Sequence, residues 1–317
     1  MKPEPKKSLQ SRKQWVSSVT YDAVKHFVWG IGDNNPLWVD QEYAYASTLG
    51  EVIAPPSFAY AIDETTVAPG YEEYERHYQS VEWEWFKHFI IGDQIHAQLS
   101  QYEETHQSLD DEIIQVGTTD FRDDLKGLIA RSVVTCKRDR SPISLPDNRP
   151  EIRYSGDELL TIESNTLSER SRGSTPRYWE ETQVGDPLDI ITKGPLSIMD
   201  IVAWCAGTQG SPDYKQGFSS GGLEAQAATG PQLTSWLIHL ITNWIGDQGF
   251  LSRLKATIAE TPLLGSTTTF TGSIVDRGKS EMGNWCELAI EGHLQIDEKI
   301  IYATALIRLP AKPAEGK

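Results

Sequence analysis

The sequence predicts an α+β protein made of two copies of one module, each a short helix, a polar turn, a long buried helix and several antiparallel strands. Three observations predict it. The chain has 317 residues, too many for one small core. Its 38% hydrophobic and 23% charged residues are an ordinary globular balance. Four segments of the first half recur in the second half in the same order and at nearly constant spacing.

The first pair sets YDAVKHFVWGIGDNNP, Tyr21 to Pro36, on IMDIVAWCAGTQGSPD, Ile198 to Asp213. Val24 then meets Ile201, Phe27 meets Trp204 and Gly30 meets Gly207. Both segments read as a short amphipathic helix with apolar residues at i and i+3, closing on a Gly suited to a left-handed C-cap. The second pair sets PPSFAYAI on GPQLTSWLI, Pro56 on Pro231, and each opens an apolar helix. In the second copy LTSWLIHLITNWIGD is apolar on nearly every face, as a helix buried on all sides should be. The third pair sets FIIGDQIHAQLSQYEE on PLLGSTTTFTGSIVDRG, Gly92 on Gly265, and the fourth sets KGLIARSVVTCKR on EKIIYATALIRLP, Leu128 on Ile300. These alternate apolar and polar residues and are rich in Thr, Val and Ile, which predicts strands.

A curled antiparallel sheet wrapped around one long helix buries that helix completely, and two such sheets joined edge to edge remove their open edges. The resulting division is a flexible tail over 1–15, a first module over 16–140, a linker over 141–181, a second module over 182–311 and a tail over 312–317. The linker is assigned from its Pro, Ser, Asp and Arg content.

The net charge of -16 and the absence of a basic patch disfavour nucleic acid as a partner. No apolar run approaches the ~20 residues that cross a bilayer, so the expectation is a cytoplasmic protein without membrane contact. Cys136, Cys205 and Cys286 are odd in number, widely spaced and without a CxxC pair, which predicts core thiols rather than disulfides or a zinc site. None of the seven histidines has metal-ligand spacing, so neither a metal nor another cofactor is expected.

The run GDNNPLWVDQEYA, followed by GEVIAPPSF, resembles the MaoC-like hydratase and dehydratase family, whose hallmark reads G-D-x-N-P-L-H-x-D-x-x-x-A before the Gly-containing start of a central helix. WEWFKHFIIGDQI also resembles that family's strand and Gly-Asp turn. The resemblance implies a double hot-dog fold and chemistry on acyl thioesters, adding water to an enoyl group or removing it. It also implies an Asp and a His that shuttle protons, with a backbone N–H at the start of the buried helix to stabilise the enolate. On this chain Asp33 falls on the catalytic Asp, Asn35 on the motif's Asn and Asp40 on a later, structural Asp.

Two positions depart from the pattern. Trp38 stands where the family has His, and an indole N–H donates a hydrogen bond but cannot cycle a proton. Pro56 stands at the oxyanion Gly and has no N–H to donate, where such a donor is worth roughly 3–4 kcal/mol. The second copy places Gly210 on Asp33 and Pro212 on Asn35, so it supplies no acid of its own, although Gly230 before Pro231 offers an N–H. A composite site is the alternative, with Asp33 from one half and a donor from the other half or from a partner subunit.

The substrate-binding candidates are Trp38, Pro56, Phe58, His88, Trp204, Gly230 and His239. Trp38 is expected to wall the pocket that reaches Asp33. His239 sits mid-helix in WLIHLITNW, and a core His either finds a buried partner or lines a cavity. His88 either turns toward the same pocket or occupies a surface strand position. The chain is rich in Trp, ten in all, and these build core or line an apolar tunnel.

Three functions are expected. The first is a hydro-lyase on an enoyl or 3-hydroxyacyl thioester of coenzyme A or acyl carrier protein, with Asp33 as acid and base and Asn35 orienting water or carbonyl. The second is a tailoring dehydratase, isomerase or cyclase of secondary metabolism acting on a hydrophobic natural-product intermediate. The third is a non-catalytic partner in a homodimer or in a hetero-oligomer with another hot-dog subunit. The absence of a basic cluster for coenzyme A phosphates favours the last two.

Overall fold

The computed structural model describes residues 14, 16–63, 67–68, 70–71, 74–107, 112–139, 152–208 and 227–313. The first 13 residues, much of the predicted linker, and the second copy of the polar turn with Gly210 and Pro212 lie outside the described residues.

Helix α1, Tyr21–Gly30, starts where Thr20 Oγ1 accepts the Ala23 N–H at 3.2 Å and buries Val24, Phe27 and Val28. Two short helices come next. α2, Pro36–Val39, is capped by Asn35, and α3, Gln41–Ala46, is capped by Asp40, which gives Asp40 its structural role. Strand β1, Ile53–Ala54, then leads into a 3₁₀ turn, Pro56–Phe58, and into α4, Ala59–Ile62.

α4 corrects an expectation: the central helix of the first module is a single turn, not a long helix. The apolar run ends at Ile62, and the next residue, Asp63, is extended with φ -164°. From Asp63 the chain reads DETTVAPG, in which acidic, β-branched, Pro and Gly residues offer no apolar stripe to bury.

Strands β2 (Glu75–Trp85), β3 (Phe89–Ile90), β4 (Ile95–Gln107), β5 (Glu112–Asp123) and β6 (Gly127–Asp139) complete the first module. The linker region contains α5, Gly156–Ser168, opened by a capping box of Ser155 and Glu158. Then come β7 (Ile191–Lys193), α6 (Ile198–Gly207), α7 (Gly230–Ile245), β8 (Phe250–Ile258), β9 (Thr268–Ser280), β10 (Gly283–Leu294) and β11 (Lys299–Arg308).

All 16 residues of α7 are buried, as its all-round apolar sequence requires. It is capped by Thr229, has Pro231 in its first turn and stops at Gly246, whose φ of 71° favours glycine.

Nine strands form one antiparallel sheet in the order β4-β5-β6-β2-β8-β11-β10-β9-β7. β2 and β8 are the seam between modules, in register from Ser80 on Thr257 to Glu84 on Arg253. The strands on either side run in matching order, so β6, β5 and β4 correspond to β11, β10 and β9. Gly92 and Gly265 both adopt positive φ, 102° and 83°, as their alignment implies.

The duplication also explains Gly30 and Gly207, but not as left-handed caps, since neither has positive φ. α1 and α6 cross at these residues. A Cβ on Gly30 would lie 2.7 Å from the Ala203 carbonyl oxygen, and one on Gly207 would lie 2.9 Å from that of His26. The contacts are reciprocal because the two halves are related by the same operation. The three cysteines are buried and none is in a disulfide. No helix among the described residues is long and apolar enough to cross a membrane.

Gly30→Ala is therefore expected to lower stability by about 1–3 kcal/mol, because backbone must shift to admit a methyl group. Gly156→Ala, with open space around its Cβ, is expected to be neutral or slightly stabilising, and thermal unfolding of the two variants checks the contrast.

Candidate active site between the modules

Asp33 lies after α1 in a polar turn, yet it is completely buried. Its Oδ1 accepts the Asn35 backbone N–H at 2.9 Å, the local turn that Asp favours. Its Oδ2 accepts the Trp38 indole N–H at 3.0 Å. Trp38 is thus more than a wall, since the residue in the place of the family's His holds the carboxylate still.

The second module completes the cluster. His239, in the middle of α7, brings Nε2 to 3.4 Å from Asp33 Oδ1 and 2.8 Å from Glu169 Oε1. Glu169 C-caps α5 and reaches the core of the second module from the linker region. Asn243, one turn beyond His239, donates from Nδ2 to the same Glu169 oxygen at 3.0 Å. Lys193, at the end of β7, donates from Nζ to the Gly32 carbonyl at 3.0 Å and lies 3.6 Å from Glu169 Oε2.

Two carboxylates, an ammonium and an imidazole therefore share one buried network, where unpaired charge would be costly. Burial raises the Glu169 pKa, but the hydrogen bond and charge of His239, with Lys193 and Asn243, outweigh it and bring the value down to about 2. Burial lowers the Lys193 pKa, and the carboxylates of Glu169 and Asp33 oppose that shift. Nε2 of His239 also lies 3.0 Å from Asn243 Nδ2, and its Nδ1 is buried and has no partner among the described residues.

Beside this cluster a narrow cleft opens between the modules, lined by Asn35, Trp38, Pro56, His88, Asp247 and Phe250. Its enclosed space, about 20 Å³, holds a water-sized group. His88 lies edge-on to the Phe250 ring at 5.0 Å, and burial lowers its pKa to about 4.

The structure brings Asp33, Asn35, Trp38 and His239 together, and sets Pro56 and His88 along the adjoining cleft. Other candidates are elsewhere. Phe58 is core, edge-on to Phe27 and Phe89. Trp204 is core against Phe27 at 5.8 Å. Gly230 is nine residues before His239 on α7, roughly 13 Å along a helix, and its Cα faces the Tyr78 ring. Glu169 and Lys193 were not singled out from the sequence, because one lies in a polar linker and the other in an ordinary strand. Asn243 had a readable signal, four residues after His239 on a helix apolar all round.

Comparison with solved structures addresses the whole chain. A MaoC-like dehydratase superposes with a TM-score of 0.68 at 16% identity, covering 96% of this chain and 100% of the other. A MaoC domain protein from Chloroflexus aurantiacus gives 0.65 at 10% identity, covering 98% and 100%. A protein from Mycobacterium tuberculosis described as having a double hot-dog fold gives 0.62 at 10% identity, covering 92% of each chain.

This chain has a double hot-dog fold, similar to these structures. Within it, residues 9–110 match the family model of the FAS1-like dehydratase domain region, which contains the Asp33 turn. No match is found among curated proteins. In this MaoC-like double hot-dog the polar cluster lies where the acid turn of one module meets the central helix of the other.

Glu169 has a folded-state pKa below its ordinary 4.5, so its contribution to stability is present above about pH 4.5 and is lost as pH falls toward about 2. Glu169→Gln is expected to destabilise the protein by on the order of 3 kcal/mol near pH 7, since Lys193 and His239 lose their partner. The gap to the parent protein in denaturant midpoint should then close between about pH 4.5 and 2.

Proposed function

We propose that the protein is a hydro-lyase that adds water to an enoyl thioester or removes it from a 3-hydroxyacyl thioester, with Asp33 and His239 as its acid–base pair. The approach of His239 Nε2 to Asp33 Oδ1 at 3.4 Å, between buried residues of different modules, carries this reading. Trp38 has displaced the motif's imidazole, and α7 brings another to the same carboxylate.

The chemistry needs a group that takes a proton from water as its oxygen attacks the β-carbon, and a proton returned to the α-carbon. In the neutral tautomer that keeps its proton on Nε2 toward Glu169, the unpartnered Nδ1 of His239 supplies a lone pair. Glu169 and Asp33 flank Nε2 and fix the orientation of the ring. Trp38 and Asn35 hold both oxygens of Asp33 through neutral donors. Asn35 orients that carboxylate through its backbone, since its own side chain accepts the Leu37 N–H.

One observation favours a second reading. Pro56 offers no N–H to an enolate, and its carbonyl already accepts the Trp85 indole N–H at 3.1 Å. A dehydratase, isomerase or cyclase acting on a hydrophobic metabolite without a thioester does not need that donor. Either enzyme works alone or beside a second hot-dog subunit.

Loss of the conjugated enoyl absorbance of crotonyl-CoA and longer enoyl-CoAs tests the proposal. The parent protein is expected to turn over at least one chain length, and Asp33→Asn and His239→Gln should each cut kcat by ~100-fold or more. Retention of full activity by His239→Gln would overturn the composite pair. Inactivity of the parent protein on every thioester, with turnover of an unactivated hydroxylated metabolite, would select the second reading.

A further inference from the structure

Asp247 takes no part in the cluster around Asp33, and the chemistry above does not use it. It sits directly after Gly246 at the end of α7, where its backbone N–H donates to the Gly173 carbonyl at 3.1 Å, so the residue is fixed in place. Its Oδ2 accepts the Tyr43 hydroxyl at 2.7 Å. Its Oδ1 is buried and has no partner among the described residues, while the residue itself lines the inter-module cleft. A carboxylate oxygen in that situation lacks a hydrogen bond that water or a ligand would supply.

The remaining walls define what that ligand is. Trp38, Pro56, Ile53 and Phe250 are apolar surfaces, while of the polar lining residues Asn35 Oδ1 already accepts the Leu37 N–H and the Thr242 hydroxyl already donates to the His239 carbonyl. His88 carries no charge near neutral pH, with its pKa lowered by burial to about 4. The enclosed space fits a group of about the size of one water, about 20 Å³.

We infer that this cleft binds the hydroxyl tip of a short apolar chain, with the hydroxyl donating to Asp247 Oδ1. A carboxylate or phosphate tip is repelled by Asp247. An ammonium tip must shed much more hydration among these apolar walls than a hydroxyl does. A methyl tip leaves the carboxylate oxygen without a donor, and sites built to bond a hydroxyl discriminate strongly against ligands that lack one. Tyr43 is a positioning residue, because its hydroxyl bond leaves Oδ1 facing the cleft. The inference deepens the function proposed above by giving its substrate class, an acyl chain that bears a hydroxyl group beyond the reacting carbons.

Binding is read apart from turnover by titrating the full chain with 1-butanol, butylammonium or butyrate and tracking the imidazole resonances of His88. 1-Butanol is expected to give a saturable shift, with butylammonium weaker by ~10-fold and butyrate without effect. In Asp247→Leu the saturable shift should disappear, and in Tyr43→Phe it should weaken severalfold while the circular dichroism spectrum is unchanged. No saturable shift with 1-butanol, tighter binding of butylammonium, or an unaltered shift in both variants would each overturn the inference. In turnover, 4-hydroxybut-2-enoyl-CoA should be preferred to crotonyl-CoA by ~10-fold in kcat/KM, and Tyr43→Phe should remove that preference through KM. Loss of all thioester turnover would refute the hydro-lyase reading and leave the butanol result standing.

Discussion

The structure depends on the burial of Asp33. A carboxylate wholly removed from water needs a full set of donors, and no single segment of this chain provides one. Asn35 and Trp38 donate to it from its own turn, while the His239 imidazole approaches it from a helix more than two hundred residues away in sequence. The modules must therefore be joined in one relative position. The β2–β8 seam and the α1–α6 crossing fix that position, one by backbone hydrogen bonds and the other by glycines that leave no room to slide. The salt bridges across the seam, Glu84 to Arg253 and Glu82 to Lys255, are exposed and add little beside these.

Around Asp33 the charges have been arranged so that none stands alone. Glu169 is held ionised against burial by His239, Lys193 and Asn243, and Lys193 is held close to Glu169 and the Gly32 carbonyl. An apolar core of the same volume would be no less stable, so a network of this kind is evidence for chemistry more than for folding. The linker segment after α5 is part of this arrangement. Arg172 N–H and the Arg177 side chain donate to the Asn243 and Trp244 carbonyls at the end of α7, and Glu169 enters the network from the same stretch.

The fold was legible because repetition filters chance. Any one of the four matched segments is weak, yet their common order predicted the paired strands, the buried helix of the second module and the correspondence of Gly30 with Gly207. The roles of individual residues were less legible. The sequence places a Gly at the end of α1 and of α6 but does not say that the two helices meet there, so a capping role read as well as a packing one. Asp33 and Trp38 were found through a motif of local spacing. Glu169 and Lys193 carry no such spacing, since their proximity to Asp33 exists only after the modules pack. His239 lay between these cases, conspicuous in an apolar helix but without a visible partner.

The two modules have complementary deficits. The first keeps the acid turn and has only one helical turn, Ala59–Ile62, where a long central helix belongs. The second keeps the long helix, and its copy of the turn reads Gly210 and Pro212 where the first has Asp33 and Asn35. Under the hydro-lyase reading proposed above, each half taken singly lacks something the reaction needs, and the other half retains it. Trp38 fits the same reading: it fixes the carboxylate of Asp33 by a hydrogen bond while the imidazole approaches it from α7.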